Sequence, residues 1–141
     1  MKLLLINHTK EKMPRAFLTS WLNRVEKKLK PKHKFGKRRE MVIVFVSKAE
    51  MKRMNGHYRG KNSVTDILSF APAEESSLGE LVICPQVVKS QSARTGLSPR
   101  EELAYMVLHG VLHLLGYDHE GSERQARRMF ALQDRVFASL R

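Results

Sequence analysis

The sequence predicts a single α+β domain in which a small mixed sheet of about four strands is covered by helices. The chain has 141 residues, which is enough for one domain with a hydrophobic core and too few for two comfortable ones. Apolar residues make up 42% of it, close to the globular norm. Short apolar runs typical of strands are interspersed with longer amphipathic stretches typical of helices. We therefore expect residues 1–141 to form one domain.

The first half of the chain predicts strand, helix, strand and helix in turn. Residues 2–7 (KLLLIN) have the composition of a short apolar strand. A helical pattern that opens with a proline covers about residues 14–30, and residues 41–46 (MVIVFV) are the clearest buried strand. The S-x-x-E capping box of residues 47–50 then starts a short helix. We expect this helix to end near the Asn-Gly pair at 55–56.

The second half predicts two strands followed by three helices. Residues 63–70 and 78–85 are the strand candidates, and the turn-forming sequence APAEESSLG between them favours a hairpin-like pair. A helix over residues 86–96 would stop at a glycine. A serine N-cap, a proline and an acid begin the next helix, over about 99–115, which carries the histidines. An amphipathic helix over about 122–140 ends the chain.

The charge of the chain favours a polyanionic partner. The net charge is +12 and the isoelectric point is about 10.2, which indicates nucleic acid or an acidic membrane surface. Residues 27–39 (KKLKPKHKFGKRR) contain eight Lys or Arg and no acid, so without them the net charge would be 12 − 8 = +4. This basic segment is either a solvated loop or a nucleic-acid contact surface, and we prefer the second interpretation.

Cysteine usage and hydropathy favour a cytoplasmic protein with no membrane association. Cys84 is the single cysteine, so no intramolecular disulfide can form, which suits a reducing compartment. The N-terminal apolar run is shorter than a secretory signal requires. No segment has the roughly 18 apolar residues of a membrane span.

Three histidines in the apolar stretch HGVLHLLGYDH predict a metal site on the late helix and the turn that follows it. His109 and His113 are four residues apart and therefore share one helix face. Gly116 would end the helix in a left-handed turn and bring His119 back as a third ligand. Three imidazoles leave a fourth position open, as in catalytic metal sites. The alternative is a set of core histidines, but several buried rings without partners would be costly.

The spacing H-x3-H-x2-G-x2-H matches that of the metzincin zinc proteases, HExxHxxGxxH. Their general base is the glutamate directly after the first histidine, and here that residue is Gly110. Glycine has no side chain that could accept a proton. A zinc peptidase is therefore a less favoured alternative, since it would need a substitute base.

Three motifs occur together in this chain: HGVLHLLGYDH (109–119), MNGHYRGKNSVTDILSF (54–70) and LGELVI (78–83). By these motifs the chain resembles the YbeY family, a group of bacterial metal-dependent endoribonucleases linked to ribosomal RNA maturation and ribosome quality control. The motifs occur in the order and spacing of the family, over nearly the whole chain. Thr65, Asp66 and Ser69 are similar to family positions near the cleft. Asn62 and Val64 depart from the Asp and Pro expected there.

The resemblance implies an RNA-cleaving enzyme with a defined set of site residues. His109, His113 and His119 would bind one zinc ion per chain, although nickel or another divalent transition metal suits three imidazoles as well. Arg59 would be the basic residue tied to activity. The implied partners are small-subunit ribosomal RNA and the ribosome, with single-stranded RNA as the type of substrate.

The chemistry of RNA hydrolysis suggests roles for other polar residues near these motifs. The planar guanidinium of Arg59 can bind two phosphate oxygens and stabilise developing negative charge, and Lys61 would help to hold the RNA backbone. Asp118 could orient a histidine ligand or cap the turn after the helix. Glu120 could accept a proton, and His57 is either an extra ligand or a loop residue.

Two further hypotheses compete with the endoribonuclease. One is a non-catalytic assembly factor, in which the metal only pins the last two helices and the basic surface docks on the ribosome. The other is the zinc peptidase. The three hypotheses differ in whether RNA is cleaved and whether cleavage depends on Arg59.

Overall fold

The computed structural model describes residues 1–31, 33 and 35–141 of the chain. Over these residues the chain forms four strands and five helices. They are β1 (Lys2–Asn7), α1 (Arg15–Leu29), β2 (Glu40–Phe45), α2 (Lys48–Arg59), β3 (Ile67–Phe70), β4 (Ser77–Ile83), α3 (Pro85–Thr95), α4 (Pro99–Leu114) and α5 (Glu123–Leu140). The prediction of a single α+β domain is confirmed. No helix in the described part of the chain is both long and apolar enough to cross a membrane.

The sheet is mixed and has the strand order β1-β2-β4-β3. β1, β2 and β4 run parallel to their neighbours. β3 pairs antiparallel with β4, with Ile67 opposite Ile83 and Phe70 opposite Glu80, as expected of a hairpin-like unit. β3 is therefore an edge strand, and one margin of the sheet is left open beside it.

Apolar side chains are buried on both faces of the sheet. On one face, Ile43 of β2 and Leu81 of β4 belong to the main core together with α1, α4 and α5. On the other face, Val44 and Val82 pack with Met51 of α2 in a smaller core. Alternate residues of each strand face opposite sides, so each inner strand supplies both cores. Because α2 and α4 lie on opposite faces, their side chains can meet only past the edge of the sheet.

The predicted end of helix α2 and the predicted start of strand β3 were both wrong. Both lie near this edge of the sheet. Helix α2 continues through residues 55–56 and ends at Arg59, where Gly60 takes the left-handed conformation with φ of +66°. Asn55 does not stop the helix because its buried side chain donates to the Ser63 carbonyl, 2.9 Å away. β3 begins at residue 67 and not at 63, since Asp66 Oδ1 accepts the Ile67 N–H at 2.8 Å. Tyr58 and Arg59 consequently occupy the last turn of α2.

The basic segment 27–39 is partly packed and does not run free as a linker. Residues 27–29 end helix α1, and Phe35 is buried in the main core. Nε2 of His33 lies 2.7 Å from the Tyr117 hydroxyl. Lys32 and Lys34 lie outside the described residues. The segment is thus attached beside the turn that follows α4.

Candidate metal centre

His109, His113 and His119 converge on one point at the end of α4. One nitrogen from each ring lies within 4.8 Å of the others, and the ring centroids are 4.8 to 4.9 Å apart. Nε2 of His113 lies 2.8 Å from Nδ1 of His119. An ion bonded to three imidazole nitrogens at about 2.0–2.1 Å requires those nitrogens to lie within a few ångströms of one another, as they do here. The three histidines predicted from the sequence are therefore brought together.

The turn that returns His119 to the helix is a Schellman motif. The Gly116 N–H donates to the His113 carbonyl and the Tyr117 N–H to the Leu112 carbonyl. Gly116 has a φ of +104°, a backbone conformation that residues other than glycine rarely adopt. The predicted glycine turn is present, and it reverses the chain within a few residues of His113.

Gln133 of α5 fixes the tautomer of His109. Its side chain is fully buried, its Nε2 donates to the Tyr105 carbonyl at 3.2 Å, and its Oε1 lies 2.9 Å from His109 Nδ1. The amide oxygen can only accept, so Nδ1 of His109 carries the proton. Nε2 is then unprotonated and is the nitrogen available to a metal ion.

Burial keeps two of the rings neutral. Desolvation lowers the pKa of His109 and the pKa of His113 below the ordinary histidine value, and the nearby His119 lowers both further. Metal ligands must be deprotonated. The cluster of three imidazoles, with His109 and His113 kept neutral, therefore fits a zinc-like divalent ion.

Gly110 lies against the sheet and not toward the histidines. A Cβ built on Gly110 would stand 2.5 Å from Leu81 Cδ2 and 2.9 Å from Ile67 Cδ1. Absence of a side chain lets α4 approach the sheet closely at this turn. The position that carries the general base in metzincins is thus used for helix–sheet packing in this chain.

The three histidines line a cleft of about 660 Å³ beside the edge strand β3. One wall is the end of α2, with Tyr58 and Arg59, and β3 runs along the cleft with Thr65 and Asp66 just before it. Phe130 of α5 completes the lining on the side of the histidines. Residues of helices on opposite faces of the sheet therefore line one cleft beside β3.

Arg59 is paired across this cleft with Glu120. Arg59 Nη2 lies 2.9 Å from Glu120 Oε1, and the same carboxylate oxygen lies 3.8 Å from His119 Nε2. The Arg59 side chain is 32% exposed and that of Glu120 is 59% exposed. A solvated guanidinium held this way beside a metal centre can exchange its carboxylate partner for a phosphate group.

The other residues that the sequence suggested for the site, Asp118, Lys61 and His57, do not belong to the histidine group. Asp118 Oδ1 accepts the Glu120 N–H at 2.8 Å, so its carboxylate caps the turn. Lys61 is exposed just beyond α2. His57 stands edge-on to the Tyr58 ring at 4.6 Å and is outside the histidine group that could hold a metal. Among residues near the cleft, Asp66 also accepts from Gln91 Nε2 at 3.1 Å.

Comparison with known proteins agrees with this architecture. The family model described as "Endoribonuclease YbeY" matches residues 4–141. The chain belongs to the YbeY family. A relative from Bdellovibrio bacteriovorus, named Endoribonuclease YbeY, is 48% identical over 143 residues, covering 99% of this chain and 95% of the relative.

Two other proteins extend the comparison. A protein of the same name from Staphylococcus epidermidis is 38% identical and covers 84% of this chain and 85% of its own. The solution structure of TM1509 from Thermotoga maritima superimposes with a TM-score of 0.65 at 28% identity, covering 96% of this chain and 86% of that one. The YbeY family fold thus spans nearly the whole chain.

Sequence reasoning missed Gln133, Tyr58 and Phe130 as residues of the site. A signal existed for Gln133, since it is a polar residue on the inward stripe of α5 between Met129 and Val136. Phe130 lies next to that stripe, and nothing in the sequence distinguishes it from an ordinary apolar side chain. Tyr58 was missed because α2 was predicted to end near residues 55–56, before Tyr58.

Proposed function

We propose that this chain is a metal-dependent endoribonuclease that acts in ribosomal RNA processing. The observation that carries the proposal is the presence of the three histidines and Arg59 in one cleft. Membership of the YbeY family, whose members carry the name endoribonuclease, supports RNA as the substrate. A net charge of +12 is suited to a polyanion.

The catalytic roles are divided between the metal ligands and the guanidinium. His109, His113 and His119 would hold one divalent ion, with Gln133 orienting His109. Such an ion lowers the pKa of water from about 15.7 toward about 7 and stabilises charge on phosphate oxygens. Arg59 binds the phosphate group and stabilises the negative charge that develops on it.

Zinc is the metal we propose, because three imidazoles around an open fourth position are typical of catalytic zinc sites. Nickel and copper bind such ligands too. Small-subunit ribosomal RNA and the ribosome are the proposed partners, with a part in ribosome quality control, and we propose a cytoplasmic location. Lys61, exposed beyond Arg59, would contact the RNA backbone.

The deciding experiment is cleavage of a structured ribosomal RNA fragment by wild type, Arg59→Glu and His113→Ala, with metal content measured on each preparation. Arg53→Glu is the matched control, since it makes the same change of charge at an exposed position on the same helix. We expect His113→Ala to lose metal and cleavage together. Arg59→Glu should retain metal and fold but lose cleavage, while Arg53→Glu should stay active.

Equal cleavage by all four preparations would identify the activity as a contaminant. The non-catalytic assembly factor would then be the better description. Its signature is a joint loss of thermal stability and RNA affinity on metal removal, without turnover by the loaded protein. Peptide cleavage that is indifferent to Arg59 would instead favour the peptidase.

A further inference from the structure

Two aromatic rings in the cleft are exposed to solvent in the described structure. The large apolar side chains exposed among the described residues are Leu4, Tyr58, Val64 and Phe130. Both aromatic members of this set line the cleft that holds Arg59 and the histidines. Single exposed apolar residues are common on protein surfaces, but two rings that line one cleft with Arg59 and the histidines suit a ligand with flat apolar faces.

Tyr58 is held in place by edge contacts while most of it remains exposed. Its ring stands edge-on to Phe70 of β3, with centroids 4.9 Å apart and an interplanar angle of 71°, and edge-on to His57 at 4.6 Å. Tyr58 is nevertheless 60% exposed. A ring that is fixed before a ligand arrives loses little conformational entropy when the ligand stacks on it.

Phe130 borders the cleft beside the metal ligands. Its ring lies nearly parallel to that of His109, at 5.8 Å and 27°, and at a steeper angle to His119, at 5.7 Å and 64°. It packs beside both imidazoles, and yet 39% of the residue remains exposed. Support of the histidines therefore does not account for the whole ring.

The chemistry between the two rings identifies the ligand. Arg59 follows Tyr58 in the chain and offers a guanidinium to phosphate, and the three histidines offer a metal site. A ligand that brings a phosphate to these groups and flat apolar rings to the aromatics is a strand of nucleic acid with unpaired bases. Bases within a duplex are already stacked and paired, so they cannot lie on the two aromatics.

We propose that Tyr58 and Phe130 stack the unpaired bases that flank the phosphate bound at Arg59 and the histidines. The inference rests on the proposed function. It assigns binding roles to two side chains that neither ligate the metal nor carry charge.

The test compares two ligands of the same length and charge on metal-loaded protein. One is a uridine 8-mer, and the other is an 8-mer whose sugars carry no bases. Binding is followed by rapid mixing, before cleavage proceeds, with a single 2-aminopurine placed in the uridine strand as a stacking reporter. Wild type should bind the uridine strand more tightly than the abasic one and quench the 2-aminopurine fluorescence.

The variants remove one ring at a time and keep an apolar side chain. Tyr58→Leu and Phe130→Leu should each weaken binding of the uridine strand by about tenfold, the effect expected of one lost base stack. Neither should change binding of the abasic strand, and the quench should diminish. Tyr58→Phe and Phe130→Tyr, which keep the rings, should behave as wild type.

The outcomes separate the inference from the proposed function. Unchanged preference for the uridine strand in Tyr58→Leu, whose altered side chain is exposed and contacts no metal ligand, overturns the stacking proposal while the nuclease proposal stands. Equal losses on both strands would mean a structural role and would also overturn it. Wild type that binds neither strand contradicts the proposed function itself.

Discussion

Gln133 Oε1 lies 2.9 Å from His109 Nδ1, and this contact links α5 to the candidate metal centre on α4. The amide is anchored at its other end by the Tyr105 carbonyl, so it cannot rotate without losing a buried hydrogen bond. The orientation of one metal ligand therefore depends on a residue that lies 24 positions further along the chain.

Replacement of Gln133 by methionine should weaken metal binding by about 10–100-fold, the usual cost of losing a partner that orients a histidine ligand. The two side chains have similar length, so packing around residue 133 is retained. Affinity can be measured by competition with a chromophoric chelator. Gln133→Glu, which keeps an acceptor at Nδ1, is the control. Equal affinity of wild type and Gln133→Met would contradict the orienting role.

Gly110→Ala should destabilise the protein by about 1–3 kcal/mol, the range found when a well-packed core is overfilled. The added methyl group would meet the buried side chains of Leu81 and Ile67. Gly56→Ala is the matched control, because it is also a helical glycine and its Cβ would meet only the Lys61 carbonyl oxygen, at 3.7 Å.

Urea unfolding measures both changes. Gly56→Ala should gain about 0.5–1 kcal/mol from helix propensity. A stabilised Gly110→Ala protein would show that α4 can move away from the sheet at no cost.

Glu120→Gln should raise affinity for RNA by about two- to fivefold, since an exposed ion pair contributes up to about 1 kcal/mol. The Glu120 carboxylate occupies Arg59, so a phosphate group must displace it. Glu123→Gln changes net charge equally at a side chain that is 85% exposed and paired with Arg127 outside the cleft. Binding of a short RNA to both variants gives the comparison. The same increase in both would indicate a general effect of charge.

Stability at alkaline pH should depend on Tyr105. Burial raises the pKa of the Tyr105 hydroxyl above its ordinary value, and the hydrogen bond to Asp134, 2.6 Å long, raises it further. Above about pH 10 the unfolded chain releases this proton while the folded chain retains it. The unfolded state then binds fewer protons, so the free energy of unfolding falls as pH rises.

Comparison of wild type with Tyr105→Phe isolates this effect. Wild type should be the more stable near pH 8, because only it has the hydrogen bond to Asp134. The difference between the two urea midpoints should narrow from pH 8 to pH 11. A difference that stays constant over that range would show that Tyr105 ionises equally in both states.

The parts of the site that depend on local spacing could be predicted from the sequence. A spacing of four residues places His109 and His113 on one face of α4 in any context, and Gly116 permits the turn that returns His119. The end of α2 could not be predicted in this way. Asn55 belongs to a pair typical of helix ends, but a contact with Ser63 keeps it inside the helix.

The sequence by itself determined the α+β class, the basic character of the chain and the three clustered histidines, because periodicity, composition and short-range spacing act within a few residues. The tertiary structure decided the pairing of Arg59 with Glu120, the orientation of His109 by Gln133 and the exposure of Tyr58 and Phe130 in one cleft. These relations join residues that are distant in the chain, on α2, α4, α5 and the loop between α4 and α5. They follow from the strand order and the packing of the helices, which no local pattern in the sequence specifies.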